Sequence, residues 1–171
     1  MTRGLIIQII SFFLYLFIQV FFLKNAVLFH TAFCFLYVAY LLSLPVETNP
    51  LMLMVIGFLM GFLIDTFYDS LGLHAFASVF IMYIRNFWLS NIIPQGGYDS
   101  NSVPALGVNG LQWYLVYMIP MVFIHQALLF FVEMGGFSMF WFTLWKVIAS
   151  TLFTASVIII VQFLFPDRSR R

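Results

Sequence analysis

The chain has 171 residues, 64% of them hydrophobic and 8% charged, with a formal net charge of +1 and 23 phenylalanines. A soluble domain of this length cannot hide so much apolar surface, because the buried fraction of a chain grows slowly with its size. These values exclude a water-soluble globular protein, and the near-neutral charge carries no nucleic-acid signal.

A helical span needs about 20 mostly apolar residues, and six such runs follow one another. The first covers roughly Leu5–Leu23 and has Gln8, Ser11, Tyr15 and Gln19 on one stripe. It is too long for a removable signal peptide and has no small-x-small cleavage site, so it is expected to remain as a helix. The second, roughly Ala26–Leu44, aligns His30, Cys34 and Tyr37. With Cys34 as the single cysteine, no intramolecular disulfide and no thiolate metal cluster can form. After "SLPVETNP" the third run, Pro50–Tyr68, puts Met54, Gly57, Gly61, Asp65 and Tyr68 on one face, with Gly57 and Gly61 forming a GxxxG. The fourth, Leu73–Ile93, groups His74, Ala77, Ser78 and Arg85. A polar loop, Pro94–Gly110, leads to the fifth, Leu111–Glu133, with Pro120 as an expected kink and His125 and Gln126 near its middle. The sixth, Met139–Phe165, aligns Thr143, Lys146, Ser150 and Thr154 and is long enough to tilt. The expected fold is an all-α integral membrane protein, a six-transmembrane-helix bundle forming one membrane domain over residues 1–171. Arg3, Arg168, Arg170 and Arg171, with an even number of spans, favour both termini in the cytoplasm.

Lipid tails give no hydrophobic push between helices, so the small and polar residues are the informative ones. Asp65 lies on the glycine face one turn from its helix end, within reach of the interfacial layer. That position lowers the cost of a mid-bilayer charge, roughly 2.5–3.5 kcal/mol on insertion scales. Asp69 or Ser70 is expected to cap the next helix, with Gly72 permitting a tight bend. His74 is level with Asp65 and is its expected partner. Arg85 lies about 15 Å deeper. It is expected to bond backbone carbonyls, or to meet a partner protein or a lipid head group. Lys146 is level with Gln126, and a hydrogen bond between them is expected, with Glu133 solvated. His30, His74 and His125 stand on different helices, where lone histidines satisfy a neighbour more often than a metal. Trp113–Tyr114 and Trp141–Trp145 read as interface anchors. The sequence holds no HExxH, no nucleophile elbow, no phosphate-cradling loop and no mid-membrane carboxylate pair. Neither an enzyme nor a cofactor is expected.

The stretch "GFLMGFLIDTFYDSLGLHAF" resembles the rod shape-determining protein MreD family. That family shows a small-residue third helix ending in G-hydrophobic-hydrophobic-x-D, then a short turn and L-G-x-x-A. The matching positions are Gly61, Phe62, Leu63, Ile64 and Asp65, then Leu71, Gly72, Leu73, His74 and Ala75. The resemblance implies a non-enzymatic, multi-pass protein of the bacterial inner membrane that belongs to the cell-elongation machinery. Its implied partners are the transmembrane helix of an MreC-like protein and, through it, RodA and a class B penicillin-binding transpeptidase, with MreB and lipids as further contacts. The implied fold is similar to the substrate-binding subunits of energy-coupling-factor vitamin transporters.

Close approach of a foreign helix needs a groove lined by small residues. Gly57 and Gly61 could line one, with Asp65 or Arg85 as a polar lock and Gly72 and His74 beside it; the same glycines could equally pack the third helix internally. A different function, a vitamin-like small-molecule binding subunit, would instead use the polar stripes to line a pocket from Gln8, Tyr15, Arg85 and Lys146.

Overall fold

A computed structural model describes residues 2–94, 96–98 and 102–165; the arginines at 168, 170 and 171 lie outside this range. The described chain is mostly helical. Four of its helical stretches are long and apolar enough to cross a membrane: Gly4–Leu23, Pro50–Tyr68, Leu111–Glu133 and Phe140–Leu164. We label the helices α1 (Thr2–Ile18, continued by a π-turn over Gln19–Leu23), α2 (Tyr37–Leu42), α3 (Pro50–Tyr68), α4 (Leu73–Asn91), α5 (Leu106–Asn109), α6 (Leu111–Glu133) and α7 (Phe140–Leu164). Two short strands, β1 (Val27–Leu28) and β2 (Ala32–Phe33), precede α2.

The predicted bounds of α3 and α6 match those observed, because Pro50 and the glycine at 110 mark their starts. Pro50 sits at the first helical position behind Asn49, whose side chain accepts a hydrogen bond from the Leu51 N–H at 2.9 Å. Helix α4 equals α3 in length, 19 residues, and the two pack as an antiparallel hairpin. It is the more polar of the pair, carrying His74, Ser78, Arg85 and Asn86. Helix α6 packs on α4 and α7, while α1 rests at the edge against α2 and α3. The outward side of α1, including Leu5, Ile7, Ile10 and Phe13, is exposed, as a lipid-facing helix requires.

The second predicted helix, Ala26–Leu44, is not one. The chain leaves α1 and turns through an antiparallel hairpin that pairs Val27 with Phe33 and Leu28 with Ala32. It then enters the bundle without helical structure through Cys34 and Phe35, and turns at Leu36 into the short α2. Apolar run length measures burial, and periodicity cannot distinguish a fully buried strand from a buried helix. Here burial is complete. Cys34 through Leu42 are all buried, and they form the middle of the core with α3, α4, α6 and α7 packed around them. Non-helical backbone at membrane depth survives only inside protein, where its N–H and C=O groups find partners.

Candidate functional site

The stretch from Gly57 to Ala75 folds as one clasp. A Cβ on Gly61 would lie 2.5 Å from the Ala75 Cα and from the His74 carbonyl oxygen, and one on Gly57 would lie 2.9 Å from the Met82 side chain. The GxxxG seam is therefore filled by α4 of the same chain, and it offers no groove to a foreign helix. Of the two roles open to these glycines, internal packing is the one observed. Asp65 closes the clasp. Its Oδ1 accepts from the Ser70 hydroxyl at 2.6 Å and the His74 N–H at 3.0 Å, and its Oδ2 accepts from the Ala75 N–H at 2.8 Å. A carboxylate here satisfies free N–H groups of α4 and meets the positive end of its dipole.

That geometry corrects one expectation. The cap on α4 comes from Asp65, not from Asp69 or Ser70. Asp69 instead ends α3 in the left-handed conformation, φ 52°, with its N–H donating to the Asp65 carbonyl. Gly72, at φ 83°, occupies the N-cap position of α4, which has no side-chain cap of its own there. His74 does partner Asp65, as expected, but through its backbone N–H.

The polar stripes on the first and last helices serve the extended segment. Gln19 is turned fully inward by the π-turn; its amide donates to the Cys34 carbonyl at 3.0 Å and accepts from the Tyr37 N–H at 3.3 Å. From α7, Ser150 accepts from the Phe33 N–H at 3.0 Å, and Thr154 accepts from the Phe35 N–H and donates to the Phe33 carbonyl, each at 3.2 Å. Three side chains thus replace the hydrogen-bond ladder that a helix would have supplied.

Arg85 serves the far end of the same segment. It is fully buried, and its Nη2 donates to the carbonyls of Leu42 and Leu44 at the C-terminus of α2. Its Nε donates to the Tyr117 hydroxyl at 2.8 Å, which in turn donates to the Leu42 carbonyl at 2.9 Å. The negative end of a short helix and a tyrosine thus take the place of a counter-ion. Tyr117 had no signal in the sequence reading, since one tyrosine in an aromatic-rich helix stands out in no pattern.

Lys146 pairs with Glu133 at 2.9 Å and lies over the rings of Phe130 and Phe33. Its expected bond to Gln126 is absent, because Gln126 donates to Thr154 instead, at 3.2 Å. Glu133 is accordingly paired, not simply solvated. His74 and His125 do meet, against expectation, on either side of the Tyr37 hydroxyl. Among the described residues no His/Cys/Asp/Glu group suits a metal ion.

The four residues nominated for a pocket do not converge. Lys146 contacts Phe33, where the buried segment begins, and Arg85 contacts Leu42 and Leu44, where it ends. Gln8 is half-buried on the edge helix, and Tyr15 packs on the ring of Tyr40. Two open surface grooves, about 660 Å³ each, are lined by residues around Phe131 and Gly136 and around Ile92 and Trp113, and neither touches any of the four.

Compared with known proteins, the chain matches no family model, no curated protein and no solved structure.

Proposed function

We propose that the protein is a non-enzymatic scaffold of the bacterial cell-elongation complex. On this reading it sits in the inner membrane with both termini in the cytoplasm and docks the transmembrane helix of an MreC-like protein. Through that partner it holds RodA and a class B penicillin-binding transpeptidase, with MreB a further contact. The chain crosses six times, counting the buried segment before α3 as one crossing and α4 as another, an arrangement akin to the energy-coupling-factor subunits.

One observation carries the reading. The stretch that resembles the MreD family is a self-contained mechanical part, in which Gly57, Gly61 and Asp65 join α3 to α4. The buried carboxylate and guanidinium are spent in the same way: Asp65 holds backbone N–H groups and Arg85 holds backbone carbonyls. Charges committed to the protein's own backbone support a holding role better than transport. Because the glycine seam is occupied, the docking surface for a foreign helix belongs to an outer face of the bundle.

The test is a pull-down of the tagged protein from a rod-shaped host in mild detergent, with partners identified by mass spectrometry. An MreC-like protein should be the principal partner, and depletion should turn rods into spheres. Recovery of a transporter's ATP-binding and coupling subunits, with cell shape unchanged, would refute the reading.

A further inference from the structure

Tyr37 lies in the middle of the bundle, with its hydroxyl 3.0 Å from His74 Nδ1 on α4 and 2.7 Å from His125 Nε2 on α6. All three side chains are buried. A tyrosine hydroxyl has one proton to give and two lone pairs, and a neutral imidazole donates from one nitrogen and accepts at the other. The direction of the chain follows from His125, whose Nδ1 is buried without a partner. A bare lone pair there costs less than a bare N–H. His125 therefore carries its proton on Nε2 and donates to Tyr37, and Tyr37 donates to His74 Nδ1.

Two further groups make the arrangement asymmetric. Ser78 of α4 faces the same tyrosine, and its buried hydroxyl oxygen has no hydrogen-bond partner. Asp65 binds the His74 backbone N–H, so the carboxylate lies beside His74 and not beside His125.

We propose that Tyr37, His74, His125 and Ser78 form a one-proton site, in which His74 takes up a proton while His125 stays neutral and the Tyr37 hydroxyl turns from His74 to Ser78. The incoming proton binds the Nδ1 lone pair of His74, and the new N–H donates to Tyr37 Oη. Tyr37 keeps its own proton and donates it to Ser78 Oγ, while the bond from His125 Nε2 is unchanged. Tyrosine then accepts two hydrogen bonds and donates one, its full capacity. The new charge has Asp65 as counter-ion. A proton placed on His125 instead would create an N–H at the bare Nδ1 with nothing to receive it.

Two other charges stand on this side of the bundle: Asp69 in the α3–α4 turn, and Lys24, which donates to the Phe67 carbonyl at 2.6 Å and lies over the ring of Tyr68. Helix α3 contributes Asp65 and Tyr68, and the buried segment contributes Cys34. The α1 end contributes the neutral Gln19 and, through Tyr68, the Lys24 ammonium, while Tyr15 packs on Tyr40. On α6, Tyr117 lies about two turns away. The sole titratable residue of α7 is Lys146, and it faces Glu133. His74 is the second residue of α4, so the proton enters from the α3–α4 turn.

The experiment is a nitrogen-15 NMR titration of histidine-labelled protein in lipid nanodiscs, from pH 8 to pH 4. His30 is assigned by its Gln variant. At pH 8 both buried imidazoles should carry the proton on Nε2; on acidification His74 alone should become an imidazolium. In Ser78→Ala the transition should move to lower pH by about one unit, the worth of one hydrogen bond. Protonation of His125 before His74, no protonation of either by pH 4, or an unchanged transition in Ser78→Ala would overturn the proposal.

Discussion

Gly61 and Arg85 show how differently two inward-facing residues can be used. At Gly61 the absence of a side chain is the contribution, since a Cβ would fall 2.5 Å from the α4 backbone, which has no flexible end to yield. Gly61→Leu should force α3 and α4 apart and cost more than the roughly 1–3 kcal/mol of ordinary overpacking. The expected result is loss of the monodisperse peak in size-exclusion chromatography, together with partner binding. A folded Gly61→Leu protein that loses only its partner would show instead that the seam is a docking groove. At Arg85 the guanidinium is the contribution. Arg85→Met should strand the Leu44 carbonyl, at about 1–3 kcal/mol for a buried unsatisfied group, while the Leu42 carbonyl keeps the Tyr117 hydroxyl. Arg85→Lys should recover part of that loss, since an ammonium keeps the charge but not the fork that reaches Tyr117 and Leu44 together. Thermal unfolding in detergent should rank the wild type above Lys and Lys above Met, and equal stability of all three would contradict the assignment.

At the scale of elements, the segment from Phe33 to Leu44 is the least ordinary part of the molecule. A helix carries its own hydrogen bonds through the bilayer, whereas an extended strand must borrow them. Gln19, Ser150 and Thr154 lend them from α1 and α7, so these two helices are tied through the segment between them. Gln19→Leu removes an acceptor and a donor together, leaving the Tyr37 N–H and the Cys34 carbonyl bare. Paired with Thr154→Ala, its effect on unfolding should be non-additive by about 0.5–3 kcal/mol, as expected of residues in one network. Simple additivity would mean that the two helices hold the segment independently. The α3–α4 hairpin is the opposite case, a local structure whose turn, cap and seam lie within one continuous stretch of sequence. For that reason its bounds and the inward direction of Asp65 could be read in advance.

Over the whole molecule, the membrane class, the α3–α4 hairpin, the bounds of α6 and the inward polar stripes of α3, α4 and α7 followed from the order of residues alone, whereas His30 of the second stripe is exposed in the β1–β2 turn. Each depends on hydropathy or on spacing within about 20 residues, quantities that a linear chain displays directly. The partners of those stripes did not follow. Tertiary structure alone decided that the second apolar run is a hairpin, an extended segment and a short helix; that Lys146 takes Glu133 and not Gln126; and that His74 and His125 share one tyrosine. The physical reason is common to all three. Apolarity records how deeply a segment is buried but says nothing about where its backbone N–H and C=O groups go, and in a bilayer those groups select the conformation.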